Sequence, residues 1–348
     1  MTTEEAAALG NPAIVKDYRN GRDLTEAPRG VKVIDAFGLS ADELRTQFPA
    51  AYQWLLERVK PERDLNNRES RKKNWWLFGE ANPKLRTQLS GLPRYIATVE
   101  TAKHRLFQFL DASILPDNKL VAIALNDPFH LGVLSSHAHG QWAQAAGSTL
   151  EDRPVYVKTT CFETFPFPDE DTGLTPALRH TIGLLAEQID THRKRVLGLL
   201  PAALAPSPAG APCAATDAPG GLSVSASNMP FPHVQQANAA INSGVTSAAA
   251  LAHTEATALA SVAPAAKPNT AKPNKDLTLT GLYNVLQALR EGRPLTAKEK
   301  TIHSTGLVGV LKTLHDELDA AVLAAYGWSD LAPAQPTPAA NVNPSAKP

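Results

Sequence analysis

The sequence has few of the residues that stabilise or define several common classes of protein. It holds two cysteines, Cys161 and Cys213, in 348 residues, and neither has a partner at the spacing of a metal-ligand set. This excludes a disulfide framework and indicates a reducing compartment. No run reaches the roughly 18 uncharged apolar residues of a membrane span, and the N-terminus has no apolar leader segment. We therefore expect a cytoplasmic protein with no membrane partner.

An excess of charge of either sign is also lacking, because 34 lysines and arginines balance 34 acidic residues. This excludes a globally basic nucleic-acid coat protein. The 28 prolines are unevenly distributed, and residues 201–275 are rich in Ala, Ser, Thr, Asn and Pro, with Phe231 as their one aromatic residue. Such a segment cannot bury enough apolar surface to offset its ordering entropy, so we predict a disordered linker. Residues 332–348 repeat this composition and are predicted to be a disordered tail.

Motifs of catalytic chemistry are missing as well. The sequence contains neither Gly-x-Gly nor a Gly-x-x-x-x-Gly-Lys loop, which a nucleotide or methyl-donor site needs. Asn126-Asp127-Pro128-Phe129 differs from the Asn-Pro-Pro-Tyr motif of amino-group methyltransferases, and we interpret it as a turn. The chain is therefore predicted to have no catalytic residue, and His137 and His139, which lack a supporting cysteine or acid, are not predicted to bind a metal.

The residues that are present predict an α+β fold in the first part of the chain. Segments 95–98, 120–125 and 155–159 are rich in aliphatic or β-branched residues, as strands are. Ser40 and Glu43 form a capping box that begins a helix, and a further helix is expected between Pro49 and Pro61.

Helical patterns return near the end of this part and after the linker. An apolar stripe over 175–200 predicts a helix, Thr280 is expected to cap another, and Thr296 and Glu299 form a second capping box. An apolar seam from Leu307 to Ala325 predicts packing between helices. We divide the chain into a mixed α+β domain (11–170), a helix (171–200), the linker (201–275), a small C-terminal helical module (276–331) and the tail (332–348).

Positive charge is concentrated between residues 58 and 105, where twelve lysines and arginines face five acidic residues. Clustered cations release counterions from a phosphate backbone, so this window predicts contact with double-stranded DNA. A solvated basic face is the alternative, and Trp75 and Trp76 are expected to be core residues. The candidate DNA contacts in this window are Arg58, Lys60, Arg63, Arg68, Arg71, Lys72, Lys73, Lys103, His104 and Arg105.

Several segments together resemble the target-recognition region of MmeI-like, type IIG DNA methyltransferases of restriction-modification systems. They are YRNGRDL (18–24), VKPERD (59–64), NWWLFGE (74–80), KHRLF (103–107), GVLSS (132–136) and CFETFPFP (161–168). LTLTGLYNV (277–285) and LHDELD (314–319) resemble the C-terminal helices of the same family. Ser135, Ser136, His137 and Lys158 complete the candidate DNA contacts.

The resemblance implies site-specific, adenine-specific DNA methylation with S-adenosylmethionine as the methyl donor. In that family the catalytic domain that holds this cofactor precedes the recognition region, so here it is expected to lie before residue 1. The leading hypothesis is thus a DNA-binding recognition fragment without its own transfer site, from a truncated or split gene or working beside a separate catalytic methyltransferase chain. The alternative is an interaction scaffold whose C-terminal helices dock that catalytic chain.

Glu151 and Arg153 are candidates for reading bases. If the backbone is extended there, their side chains lie on one face. A glutamate can accept a hydrogen bond from cytosine N4, and an arginine can donate two to guanine. The alternative is a surface salt bridge in a turn before Pro154.

Overall fold

The computed structural model of the protein describes residues 1–10, 12–151, 153–199 and 277–331. In these ranges it contains helices and small sheets, which confirms the predicted α+β class and the presence of C-terminal helices. The predicted linker at 201–275 and the predicted tail at 332–348 lie outside the described residues. In the described ranges no helix is long and apolar enough to cross a membrane.

The elements follow one another in a mixed order. The helices are α1 (Thr3–Ala8), α2 (Gly21–Thr25), α3 (Ala41–Gln47), α4 (Pro49–Arg58), α5 (Lys60–Asp64), α6 (Glu69–Lys73), α7 (Pro83–Leu89), α8 (Pro128–Ser135), α9 (His137–Ala146), α10 (Pro176–Val196), α11 (Leu279–Arg290), α12 (Ala297–Thr305) and α13 (Val308–Ala325). The strands are β1 (Val15–Arg19), β2 (Lys32–Ile34), β3 (Arg94–Val99), β4 (Gln108–Asp111), β5 (Leu115–Pro116), β6 (Leu120–Ile123), β7 (Ser148–Leu150) and β8 (Arg153–Val155). A π-helical turn spans Lys158–Phe162, and a 3-10 turn spans Ser329–Leu331.

Within the described ranges the strands form three small sheets. One has the order β2-β1-β5, the second has the antiparallel order β4-β3-β6, and the third is the two-stranded hairpin β7-β8. In the second sheet Ile96 lies opposite Phe109 on β4 and Ile123 on β6, and all three are buried. Alternate residues of a strand face opposite sides of its sheet, so these three side chains form one apolar surface, which packs on α8 and α9.

The long helix α10 joins the recognition region to the C-terminal helices. Thr175 caps it, accepting a hydrogen bond from the amide of Leu178, and Ile182, Leu185 and Ile189 follow at helical spacing on its buried face. These side chains pack in one core with Leu282 of α11 and other residues of the C-terminal helices. The predicted helix at 175–200 and the predicted helix packing are thereby confirmed.

Both predicted capping boxes agree with the structure. Ser40 and Glu43 form the expected capping box at the start of α3, and Thr296 and Glu299 form the one at α12. Trp75 is a core residue, with 8% of its surface exposed. The two residues of each capping box lie within four residues of each other, so the local sequence is sufficient to predict the start of the helix.

The predicted strand at 155–159 is wrong. Strand β8 ends at Val155, and the chain then makes the π-helical turn, in which the amide of Cys161 donates to the carbonyl of Val157 at 2.7 Å. The turn buries Cys161 against α9 and leaves Lys158 exposed. Burial of one side chain beside exposed polar neighbours therefore decides this backbone, in place of β propensity.

Two details of the C-terminal helices also differ from prediction. Thr278, rather than Thr280, caps α11, accepting a hydrogen bond from the amide of Gly281 at 3.0 Å. Leu307 is not part of a buried seam, because it precedes α13 in a left-handed conformation (φ 47°) and is 56% exposed. From Leu311 onward the seam is buried as predicted, at Leu311, Leu318 and Ala325.

Candidate nucleic-acid interface

A cavity of about 490 Å³ lies where the recognition region meets the C-terminal helices. We call it the junction cavity. Its walls are the loop between β3 and β4, the junction of α8 and α9, Pro154 of the hairpin, α11 and His315 of α13. Six of the predicted DNA contacts line it, although they come from two separate segments of the sequence: Lys103, His104, Arg105, Ser135, Ser136 and His137.

An asparagine of α11 holds the β3–β4 loop in place. The Nζ of Lys103 donates to the Oδ1 of Asn284 at 2.7 Å, and the Nε2 of His104 lies 2.9 Å from the same oxygen. Burial, the largest influence, lowers the pKa of His104, and the charge of Lys103 adds to this effect. The loop that carries two predicted DNA contacts is thus fixed by a residue about 180 positions later in the chain.

Arg105 bonds with the protein backbone. Its guanidinium donates to the carbonyl of Val99, to that of Glu100 at 3.5 Å and to that of Pro154 at 3.2 Å, and it lies over the ring of Tyr156. Burial lowers its pKa to about 10, so it stays charged at neutral pH. The structure therefore gives Arg105 a positioning role, since it joins the end of β3 to β8.

The serine pair and His137 begin helix α9. Ser136 caps the helix, accepting from the amide of His139 at 3.3 Å and donating to the carbonyl of Val133 at 2.7 Å. The amide of His137 donates to the Oδ1 of Asp319 on α13 at 2.6 Å. Two of the three predicted contacts at this junction thus have structural partners of their own.

The two base-reading candidates lie at the tip of the hairpin β7-β8. Leu150 pairs with Arg153 in the hairpin register, which leaves two residues for the turn, and Glu151 is left-handed there (φ 58°). The expectation of an extended backbone is therefore wrong at Glu151, because a two-residue turn needs positive φ. The two side chains form the alternative ion pair, with the Nη2 of Arg153 at 2.9 Å from the Oε2 of Glu151, and both are exposed.

We call residues 101–105, 135–137, 148–151 and 153–158 together the loop–hairpin surface. The hairpin is joined to the β3–β4 loop, because Thr101 forms an isolated bridge with Val155 and the amide of Tyr156 donates to the carbonyl of Glu100 at 2.7 Å. Lys158 is exposed at the end of this surface. Among the residues that the structure describes, neither Lys103 nor Lys158 has a carboxylate within ion-pair distance.

The remaining predicted contacts form the basic helical segment, residues 58–73 on α4, α5 and α6. Most of its cations have acidic partners nearby. The ion pairs are Arg58–Glu5 (2.7 Å), Lys60–Asp64 (2.6 Å), Arg71–Glu80 (3.7 Å) and Lys72–Glu69 (3.9 Å). Arg63 donates to the carbonyl of Leu77 at 3.4 Å, while Arg68 and Lys73 have no such partner in the described ranges.

A second cavity, of about 690 Å³, adjoins the basic helical segment. Arg63 and Arg71 line it, and so does Tyr18, whose hydroxyl donates to Asp117. Burial raises the pKa of Tyr18, and the bond to Asp117 adds to that rise. Cations and acids both face this cavity, so its charges partly compensate.

A buried polar network lies behind the junction cavity. Arg193 of α10 donates to the carbonyl of Phe107 at 2.7 Å and to the hydroxyl of Tyr283, whose oxygen lies 2.6 Å from the Nε2 of His315. Arg193 is buried, has no carboxylate partner in the described part of the chain, and leaves its Nε without a hydrogen bond. Burial lowers the pKa of His315 well below its ordinary value, so this histidine is neutral.

The two histidines weighed as metal ligands are separated by their surroundings. His137 is exposed, whereas His139 is buried, with its Nε2 3.0 Å from the hydroxyl of Tyr156. Burial lowers the pKa of His139 to about 3. Within the described ranges no group of three histidine, cysteine or acidic residues is arranged to hold a metal ion.

Comparison with known proteins shows which kind of domain this region resembles. Residues 42–169 match the family model described as the MmeI target recognition domain, so this region is an MmeI-like target recognition region. The matched range contains the β3–β4 loop, the α8–α9 junction and the hairpin. No curated protein matches the sequence.

The fold also resembles a solved structure of a larger protein. This is the type IIL restriction-modification enzyme MmeI in complex with DNA, with a TM-score of 0.51 and 16% sequence identity. The match covers 94% of this chain and 31% of the other chain, so the chain spans about a third of the length of that enzyme. At this identity the likeness shows the fold alone.

Sequence reasoning missed two residues that support this site. Asn284 was part of a family-like segment, and nothing in that segment indicates that its amide oxygen holds Lys103 and His104. Arg193 lies among the basic residues in the last turn of α10, where cations suit the helix dipole, and yet it is buried. Contacts between residues that are far apart in the sequence leave no local sequence signal by which they could be predicted.

Proposed function

We propose that the chain binds double-stranded DNA and recognises a short target site for an MmeI-type restriction-modification enzyme. The observation that carries this proposal is that the matched range, 42–169, contains the loop–hairpin surface, on which Lys103 and Lys158 have no acidic partner among the described residues. Cations that lack acidic partners retain their full attraction for phosphate. DNA is also present in the solved structure of the similar enzyme.

The hairpin β7-β8 is the proposed element that enters the major groove. That groove is wide enough for a two-stranded β-ribbon, and β7-β8 is such a ribbon, with exposed side chains at its tip. Glu151 and Arg153 are the proposed base readers, and each well-formed contact contributes about 1–3 kcal/mol of discrimination. Their mutual ion pair is exposed, so it costs little to exchange it for contacts with bases.

Methyl transfer is assigned to a separate catalytic part. The proposed reaction is adenine-specific, with S-adenosylmethionine bound by a catalytic methyltransferase domain or chain that works with this one. The sequence supports this division, because it contains neither a glycine-rich cofactor loop nor an Asn-Pro-Pro-Tyr motif. Incorporation of labelled methyl groups into DNA by the purified chain alone would contradict the division and leave the recognition role intact.

Salt-dependent binding tests the proposal. Affinity for a random-sequence duplex should fall steeply with salt, with a log–log slope of about −0.9 for each phosphate contact. A flat slope, or no binding at low salt, rules the proposal out.

The reading of bases needs a second experiment. With the chain joined to an active catalytic domain, the double change Glu151→Lys and Arg153→Asp should alter the methylated sequence at a single position. An unchanged site with normal activity would remove both residues from the set of base readers.

The alternative function, a scaffold that docks a catalytic methyltransferase chain, has one observation in its favour. Leu307 and Val310, at the start of α13, are apolar and more than half exposed. A scaffold without DNA affinity would bind the catalytic chain and show no salt-dependent binding to a duplex, which distinguishes the two functions.

A further inference from the structure

The junction cavity carries positive charge that the surrounding protein leaves uncompensated. Lys103 and Arg105 line it, Arg193 lies directly behind Tyr283, and no carboxylate among the described residues pairs with any of the three. Charges taken out of water are normally paired, because the cost of removing an ion from water is large. Arg105 and Arg193 are such charges, and the exposed Lys103 adds a third cation at the same cavity, which indicates that an anion completes the site.

The acids near the cavity do not pair with these three cations. Arg290 also lines the cavity, and it is neutralised by Asp316 at 3.1 Å and Asp319 at 3.0 Å, so it adds little net charge. Glu291 is the one carboxylate among the lining residues, and its Oε1 accepts from the Nε2 of Gln287 at 2.7 Å. The positive field in the cavity therefore comes from Lys103, Arg105 and Arg193.

The cavity also offers more hydrogen-bond donors than acceptors. Lys103 has three N–H donors, and one of them is used by Asn284. Further donors are the amides of Gln141 and Gln144, which line the opposite wall on α9. Phosphate oxygens accept hydrogen bonds from cations and amides, and they donate none when ionised. A phosphate group fits both the charge and the donors.

We propose that the junction cavity binds a phosphate group, and that helix α11 of the C-terminal module is thereby part of the DNA interface. This inference rests on the proposed function and extends it beyond the matched recognition range. Asn284 is a positioning residue in it, because it presents the Nζ of Lys103 to the cavity. The phosphate is one of the DNA backbone, and a free nucleotide carries the same chemistry.

The first test changes charge at the cavity and at a matched position outside it. Glu291→Gln removes the carboxylate that lines the cavity, and Glu317→Gln removes an exposed carboxylate of α13 that does not. Both variants change the net charge of the full chain equally. Glu291→Gln should tighten binding to a random duplex severalfold, while Glu317→Gln should have a much smaller effect. Equal effects would overturn the proposal, since only long-range charge would then be acting.

The second test removes the cation. Lys103→Gln should weaken binding and reduce the size of the log–log salt slope by about 0.9, which corresponds to one phosphate contact. The matched control is Lys300→Gln, at an exposed position of α12 outside the cavity, and it should leave the slope unchanged. Both lysines are exposed, so neither change threatens folding. Steep wild-type binding with an unaltered slope in Lys103→Gln would refute the cavity site and leave the recognition function standing.

A third arm separates the two sources of phosphate. Inorganic phosphate and adenosine monophosphate are titrated into the full chain, and the shift in melting temperature is compared with that of Lys103→Gln. Stabilisation by the nucleotide in the absence of DNA binding would assign the cavity to a free nucleotide and refute the proposed function. Absence of both DNA binding and stabilisation would overturn the cavity proposal together with that function.

Discussion

The basic helical segment and the loop–hairpin surface contain similar residues, and they differ in what faces their charges. In the helical segment four of the cations form ion pairs with acids nearby, such as Lys60 with Asp64. On the loop–hairpin surface Lys103 and Lys158 have no acidic partner in the described residues, and Lys103 is oriented by a neutral amide. The density of lysine and arginine along a sequence therefore indicates charge, and the partners of each cation decide where an anion can bind.

The largest expected effect separates these two regions by charge reversal. Lys103→Glu with Lys158→Glu should weaken duplex binding on the order of a hundredfold at low salt, since both lysines are free to contact phosphate. Lys60→Glu with Lys72→Glu makes the same change in net charge at two lysines that already face acids, and it should cost only a few-fold. Equal losses in a fluorescence anisotropy titration would remove the distinction between the regions.

A smaller effect is expected where the hairpin joins α9. A Cβ on Gly147 would lie 2.5 Å from the carbonyl oxygen of Ala143 and 2.7 Å from that of Val155. Gly147→Ala should therefore lower the free energy of unfolding by about 2 kcal/mol and displace the hairpin. Gly140→Ala, within α9 and without such contacts, should raise it by up to about 1 kcal/mol. Chemical denaturation measures the free energy of unfolding of both variants. A loss of stability in both would contradict the conclusion that Gly147 is crowded and Gly140 is not.

The stability of the fold beneath the loop–hairpin surface should depend on pH. Burial lowers the pKa of His139 from an ordinary 6.5 to about 3, so the unfolded chain binds a proton that the folded protein does not. Stability should then fall as the pH drops from 6.5 towards 3, with His139 contributing at most about 1.4 kcal/mol per pH unit. His139→Phe should flatten this dependence, and His180→Gln, at an exposed histidine, should not. Parallel curves for wild type and His139→Phe would exclude His139 as a source of the dependence.

The smallest effect concerns the ion pair at the hairpin tip. Both side chains are largely exposed, so Arg153→Ala should change the free energy of unfolding by no more than about 1 kcal/mol. Thermal unfolding of Arg153→Ala beside wild type measures this. A larger loss would mean that the pair supports the fold, and any change of target site in the double variant would then need another explanation.

The sequence predicted those features that short-range chemistry decides. The capping boxes at Ser40 and Thr296 each depend on residues three positions apart. The strand at 95–98 was also predictable, because its apolar residues are central in a sheet and buried on both sides. The turn after Val155 was not, because it depends on the burial of Cys161 against a helix that precedes it.

The candidate interface was predictable in part. Basic residues and a family resemblance identified Lys103, His104 and Arg105, and the structure brings these together with Ser135, Ser136 and His137 in one cavity. Their different roles were not predictable, because nothing at position 105 indicates that its guanidinium bonds with three carbonyls. The geometry of Glu151 was missed since the turn contains neither glycine nor asparagine, the residues that usually mark positive φ.

The bond between Lys103 and Asn284 also has a consequence for biosynthesis. During translation the β3–β4 loop leaves the ribosome long before α11 exists, so the amide that orients Lys103 is absent from a half-made chain. The core that α10 shares with α11 is likewise incomplete until Leu279 and Leu282 arrive to join Ile182 and Ile189 in it. A nascent chain can thus form its sheet and hairpin early, and it acquires a finished interface only once nearly all of it has been synthesised.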